Sequence, residues 1–314
     1  MTEVLQQGQS HTRKRRDYEA EVLMRSATYA AVLTALILVA IKAGAWWVTG
    51  SVAVLGSLID SLLDVAASSV NLLAVRKALA PRDHEHRFGH GKLEALAGLA
   101  QALIIACSAL YLVYECVRRF VLPRPVENGF VGIAVIVISI VLTLLLVRFQ
   151  RKVIVKSGSL AISADELHYK GDLFMNAAVI AALALSGVPR LSFTDPLIGI
   201  VVAGYIVWAA WAIMSQSYDQ LMDRELPDDK RQRVKEIALT HPEVRAVHDL
   251  RTRSSGRIDF IQLHLELDPS ISLVKAHEIS DEVELKLLRE FPRAEVIIHQ
   301  DPAGIEEIPA LDKR

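Results

Sequence analysis

Residues 58–64 read Leu-Ile-Asp-Ser-Leu-Leu-Asp, and residues 166–172 read Glu-Leu-His-Tyr-Lys-Gly-Asp. Each motif lies in a long apolar stretch, and each holds two metal-competent side chains four residues apart: Asp60 with Asp64, and His168 with Asp172. On a helix that spacing puts both members of a pair on one face. An acidic residue in mid-membrane costs roughly 2.5–3.5 kcal/mol. Three such carboxylates would therefore not face lipid unpaired. They are expected to face the bundle interior, a water-filled cavity or a cation.

Three carboxylates and one imidazole from two packed helices can supply four ligands at about 2.0–2.2 Å around a tetrahedral Zn²⁺. Three negative ligands overcompensate a dication, so metal loss and proton gain are naturally coupled. The alternative is a polar network that only holds helices together.

Apolar stretches recur on either side of these motifs, near residues 26–48, 52–79, 92–121, 129–150, 160–187 and 194–216. Each is long enough for the roughly 20 residues a membrane-crossing helix needs. The fourth is apolar all round and is expected to face lipid. Lys42 and Glu115, near span ends, are expected to snorkel. Trp46 and Trp47 suit an interfacial aromatic belt, and Cys107 and Cys116 read as packing thiols.

The 314-residue chain is 52% hydrophobic with a mean hydropathy of +0.31. That excludes a disordered or collagenous protein. A net charge of -1 argues against a nucleic-acid partner. Two cysteines cannot build a disulfide scaffold or a four-cysteine zinc site. Nearly half of the acidic and basic residues lie beyond position 225, so a membrane part precedes a soluble one. Residues 1–20 are polar, with a basic run at 13–16. They read as a disordered cytoplasmic tail rather than a signal peptide.

With the N-terminus inside, fourteen basic residues fall in cytoplasmic segments. Only Arg118, Arg119, Arg124 and Arg190 fall opposite. Both termini are therefore expected inside.

From residue 227 the pattern is that of a small soluble domain. Residues 228–240 look helical, Val244–Thr252 and Ile258–Leu267 look like strands about a Ser-Ser-Gly turn, residues 273–290 form an amphipathic helix, and Glu295–His299 a last strand. The order α-β-β-α-β suits an α+β domain with helices on one face of a sheet.

Two further groups have ligand character. Between the second and third spans, Asp83, His86 and His90 have ligand spacing, with His84 and Glu85 as spare donors, although His-rich loops are often simply solvated. In the soluble domain, His241, His248, His264, His277 and His299, with Asp301 following, suggest a metal site, against the reading of ordinary surface histidines. A zinc hydrolase would want His-Glu-x-x-His. His86 and His90 are four apart, but Arg87 follows where the Glu should be. No nucleotide-binding glycine loop is evident. A passive metal channel would want repeated charged rings, and a membrane-tethered sensor would leave the intramembrane quartet without a reason.

The six spans with Asp-x-x-x-Asp in the second and His-x-x-x-Asp in the fifth, together with the C-terminal domain, resemble a cation diffusion facilitator. Phe88-Gly-His-Gly-Lys92, Leu167-His-Tyr-x-x-Asp172, His248-Asp-Leu-Arg-Thr-Arg253 and Ile297-Ile-His-Gln-Asp-Pro302 resemble the bacterial ferrous-iron/zinc/cadmium efflux branch, and the likeness runs from about residue 20 to 302. It implies an all-α six-helix transmembrane bundle over 21–222, after the 1–20 tail. A cytoplasmic, metallochaperone-like αββαβ domain over 223–302 would follow, then a tail over 303–314.

The resemblance implies a homodimeric metal/proton antiporter of the inner membrane, not an enzyme. It would export Zn²⁺, Cd²⁺ or Fe²⁺ as substrates and also carry them as structural or regulatory ions. Asp60, Asp64, His168 and Asp172 would form the transport site, and Asp83, His86 and His90 a loop site. His248, His264, His277, His299 and Asp301 would form a cytoplasmic site that steadies the dimer, and Lys92 and Asp223 an interlocking salt bridge. The expected partners are lipid, a second copy of the chain, divalent metal ions and protons.

Overall fold

A computed structural model describes the backbone over residues 2–50, 52–121, 130–185 and 194–304. Arg124, Arg190 and most of the 303–314 tail lie outside the described residues, as do the side chains of residues 13–16, Glu115 and Arg119. The chain divides into two compact units, residues 1–219 and 220–314.

Six helices make the first unit: α1 (Thr2–Thr49), α2 (Val52–Ala78), α3 (Lys92–Val121), α4 (Phe130–Ser157), α5 (Leu160–Leu185) and α6 (Thr194–Leu221). Their order and approximate bounds follow the apolar periodicity. The helix α1 begins at Thr2 rather than after a disordered tail. Residues 2–20 contain no proline and hold three Gln, three Arg and two Glu, all good helix formers. Among the described residues, five helices are long and apolar enough to cross a membrane. The α5 segment is not one of them, because Asp165, Glu166, Lys170 and Asp172 crowd its first half.

The break between α4 and α5 is local chemistry. Gly158 takes φ +70, a left-handed value that closes α4, and its N–H donates to the Ile154 carbonyl at 2.8 Å. The Ser159 hydroxyl then accepts from Ile162 N at 3.3 Å and caps α5.

The helix α4 was expected to be lipid-facing. One face does expose Val131, Val137, Ile138, Val141 and Leu145, but the other buries a stripe of Val135, Ser139, Thr143, Leu146, Gln150 and Val153, packed against α1 and α5. Uniform apolarity hid that stripe, because its polar members Ser139 and Thr143 are small and Gln150 spends its amide on a buried partner. That partner is Asp165 on α5, whose carboxylate accepts from Gln150 Nε2 (2.6 Å), Gln101 Nε2 (3.1 Å) and Ser68 Oγ (3.5 Å). Ser68 Oγ also lies 2.9 Å from the Tyr169 hydroxyl, which is itself 3.3 Å from the Ala31 carbonyl. One acid thus ties α2, α3 and α4 to α5, and no buried oxygen of that carboxylate is left unpaired.

The second unit continues with α7 (Asp228–Leu239), β1 (Ala246–Ser255), β2 (Ile258–Leu267), α8 (Leu273–Glu290) and β3 (Ala294–Pro302). The expected α-β-β-α-β order is present. The sheet runs β1-β2-β3, with β1 and β2 antiparallel and β2 and β3 parallel. Period-two alternation sends Ile261, Leu263, Leu265 and Leu267 to one face. There they pack with Val234 and Ile237 of α7 and with Ile279, Val283 and Leu287 of α8. Ser272 caps α8 by accepting from Lys275 N at 3.2 Å. Gln262, His264 and Glu266, the intervening β2 residues, therefore belong to the face away from both helices.

Candidate metal-binding sites

In the first unit, helical spacing delivers the two membrane pairs to each other. Asp64 on α2 and His168 and Asp172 on α5 bring ligand atoms that all lie within 4.8 Å of one another. His168 Nε2 stands 2.9 Å from Asp64 Oδ1 and 3.7 Å from Asp172 Oδ2. Ligands about 2.0–2.2 Å from a tetrahedral ion are about 3.3–3.6 Å apart, so small side-chain rotations would close this trio around a cation. Asp60, expected as the fourth ligand, is exposed one turn from Asp64 and is not in the trio. Residues i and i+4 share a face but differ in height by about 6 Å.

Lys42 was expected to snorkel, and the structure turns it inward. It is 9% exposed, and its Nζ donates to Ser61 Oγ (2.6 Å) and to the Ser57 carbonyl (3.2 Å) of α2. Its ionisable head, seven positions from the end of α1, was the signal that could have marked it as internal. Of the two cysteines, Cys116 is buried as expected of a packing thiol, whereas Cys107 is exposed.

The loop after α2 folds around Asp83. Its Oδ1 accepts the N–H groups of His86 (2.6 Å) and Glu85 (3.1 Å) and sits 2.9 Å from His86 Nδ1. The His86 backbone bond is the largest influence holding the Asp83 carboxyl below its ordinary range. His90 Nε2 lies 3.2 Å from Asp83 Oδ2. The His90 ring is nearly buried, yet neither nitrogen makes an aligned hydrogen bond. A buried imidazole left open beside a carboxylate is chemically suited to a cation. Gly89, at φ +84, permits the turn that folds His90 back. His84 and Glu85, the spare donors, are exposed and outside the trio of Asp83, His86 and His90.

Strand register builds the third cluster. His248 pairs with His264, and His264 with His299, so three histidines form a row across β1, β2 and β3. Because β3 extends to Pro302, Asp301 shares the face of His299. Its carboxylate, 4% exposed, lies 2.7 Å from His264 Nδ1, 3.2 Å from His248 Nε2 and 3.1 Å from His299 Nε2. Two acids that the sequence reading had not singled out border the row. Glu266 stands 3.2 Å from His248, and Asp249 stands 3.7 Å from His264 Nε2. Asp249 reaches there from a break in the β1–β2 register, where its φ is +44.

His277 does not join the row. It is on α8, 71% exposed and paired with Asp281 at 3.7 Å, and α8 packs on the opposite face of the sheet. His241 is buried near the end of α7 against Glu282 at 3.2 Å. Asp223, just after α6 at φ +54, pairs with Arg253 at 3.2 Å, and Lys92 is the first residue of α3.

Residues 28–222 match the cation efflux transmembrane domain, and residues 226–303 match the cytoplasmic domain of cation efflux proteins. The chain is similar to the cation-efflux pump FieF of Cronobacter sakazakii, with 47% identity over 90% of this chain and 94% of that protein. It is also similar to FieF of Pectobacterium carotovorum, with 48% identity over the same shares. A metal-bound C-terminal domain of the CzcD transporter from Thermotoga maritima aligns with 25% of this chain and 93% of its own, at 29% identity and a TM-score of 0.25. Domain matches from residue 28 to 303, and near-half identity along almost the whole length of known efflux pumps, leave one assignment: the chain belongs to the cation efflux, or cation diffusion facilitator, family of multi-pass membrane transporters and is not an enzyme.

Proposed function

We propose that the protein is a proton-coupled antiporter that exports divalent transition-metal cations, Zn²⁺, Cd²⁺ or Fe²⁺, from the cytoplasm. The observation that carries this reading is the convergence of Asp64, His168 and Asp172 from two helices of the membrane unit. Carboxylate and imidazole donors in a compact trio suit borderline divalent metals. Those groups bind metal only when deprotonated, so every loading event displaces protons and every protonation favours release. Asp60, one turn away, completes the set when the helix pair shifts. Alternating exposure of the site then exchanges a cytoplasmic cation for external protons without ATP.

The basic residues concentrated in alternate loops support cytoplasmic termini in an inner membrane. The His248, His264, His299 and Asp301 row supports a cytoplasmic metal that steadies a homodimer. Asp83, His86 and His90 support a separate loop site. The metals are substrates in the membrane and structural or regulatory ions outside it.

The test is zinc flux into proteoliposomes with an imposed pH gradient, with internal pH recorded. Zinc uptake with opposing proton movement is expected. Uptake without proton movement would make the protein a channel, and binding without uptake would make it a sensor.

A further inference from the structure

We infer that Lys42 is a tethered counter-ion of the intramembrane metal site, setting how tightly that site holds a cation. The inference rests on the transport reading above. Ser57, Asp60, Ser61 and Asp64 stand at i, i+3, i+4 and i+7 of α2 and so share one stripe of that helix. Lys42 crosses from α1 and docks its ammonium on this same stripe, through Ser61 Oγ and the Ser57 carbonyl. Its side chain is buried within the protein. Ser61, which accepts from the ammonium, lies one residue after Asp60 and three before Asp64, so the charge is docked within one helical turn of both α2 acids. One cation from α1 thus docks on the stripe of α2 that carries Asp60 and Asp64, and Asp64 in turn meets His168 of α5.

Charge decides what this arrangement does. An ammonium has three N–H donors and no lone pair, so Lys42 contributes charge and not ligation. Three carboxylates carry three negative charges, and Lys42 offsets one. A bound dication offsets the other two, with His168 neutral as a ligand must be. The loaded site is then neutral, the state of least cost in a low-dielectric interior. With Lys42 removed, the loaded site would carry one excess negative charge. It would hold the metal more tightly and give it up more slowly. A residue that only pinned α1 to α2 would have no such effect on affinity.

Lys42→Met removes the charge with little change in length, and Lys42→Arg keeps it. In proteoliposomes, Lys42→Met is expected to lower the KM for Zn²⁺ by about tenfold while kcat also falls, since slow release limits turnover. Lys42→Arg is expected to keep KM within about twofold of the unsubstituted protein. If Lys42→Met is inactive, equilibrium zinc affinity is measured in detergent with Asp83→Ala and His264→Ala added to silence the other sites. Tighter binding than in the same background with Lys42 supports the inference, and equal or weaker binding overturns it. If Lys42→Met does not yield folded protein, Lys42→Gln, uncharged but able to donate to Ser61, is judged by the same criterion. An unchanged or raised KM in the uncharged variant, while the unsubstituted protein transports, ends the counter-ion role alone. Absence of pH-driven flux in the unsubstituted protein ends the transport reading instead.

Discussion

His168 Nε2 lies 2.9 Å from Asp64 Oδ1 although 104 positions separate the two residues. The spacing is that of a hydrogen bond, and a cation bound between imidazole and carboxylate would take the place of its proton. In the antiport reading proposed above, a metal entering the site displaces that proton, and a proton arriving from outside restores it. The same two side chains therefore describe both the metal-free and the metal-ready arrangement, with Asp172 3.7 Å from the ring to complete the trio.

Asp64→Ala and Asp172→Ala each remove one of the three converging candidate ligands. Residues that only orient a ligand typically contribute 10–100-fold, so losing a ligand is expected to reduce zinc flux by at least about a hundredfold. The chain should still insert and fold. Normal zinc flux through Asp172→Ala vesicles would remove the central claim.

If Asp60 joins the trio as proposed, its carboxylate is a harder, more anionic donor than a histidine would be. Asp60→His is expected to narrow the transported range toward Zn²⁺ at the expense of Cd²⁺. Competition between the two metals in vesicles reads this directly. Unchanged Cd²⁺ transport would assign Asp60 no part in selection.

The histidine row is expected to couple metal to the stability of the C-terminal unit. Saturating zinc should raise the melting temperature of residues 220–314 by at least about 5 °C at neutral pH. His264→Ala with His299→Ala should abolish most of that rise. Imidazole ligates only when neutral, so the zinc effect should fade on acidification. Identical melting with zinc and with chelator would leave the row as ordinary polar surface.

Asp268 gives a second pH signature, one that needs no metal. The Ser270 hydroxyl, the Ser270 N–H and then Arg245 hold its carboxyl below the ordinary range near 3.9. A depressed folded-state pKa contributes stability that is fully present above the unfolded value and is lost as pH falls through the folded one. Asp268→Asn should therefore lower the urea midpoint at pH 7, and the deficit should close in strong acid. A pH-independent difference between the two proteins would refute the assignment.

Leu287 on α8 is completely buried among Val234, Ile261 and Val283. Leu287→Ala is expected to destabilise the C-terminal unit by about 2–5 kcal/mol, through lost burial and the cavity left behind. Chemical denaturation of residues 220–314 measures it. A loss under about 1 kcal/mol would mean that the core there collapses to fill the space.

Much of this was legible in the residues alone, because periodicity is a local property. Apolar runs of helical length located the six helices, and alternation in Ile258–Leu267 located β2 and its core face. Spacings of i and i+4 put Asp60 with Asp64, and His168 with Asp172, on common faces. The compact loop spacing of Asp83, His86 and His90 similarly kept its three donors near one another.

Other features required the tertiary structure, because a face says nothing about which atom of a neighbouring element meets it. Packing brought Asp64 to His168 and left Asp60 a turn away. Sheet register aligned His248, His264 and His299, while the placement of α8 on the opposite face set His277 apart. A register break delivered Asp249 to His264. The direction taken by Lys42 turned on whether α2 offered it Ser57 and Ser61, two acceptors that no pattern within α1 encodes. Local sequence determines the period of a helix or strand and hence its faces. The translation and rotation of one element against another arise from contacts between residues far apart in the chain, and those decided which of the candidate ligands meet.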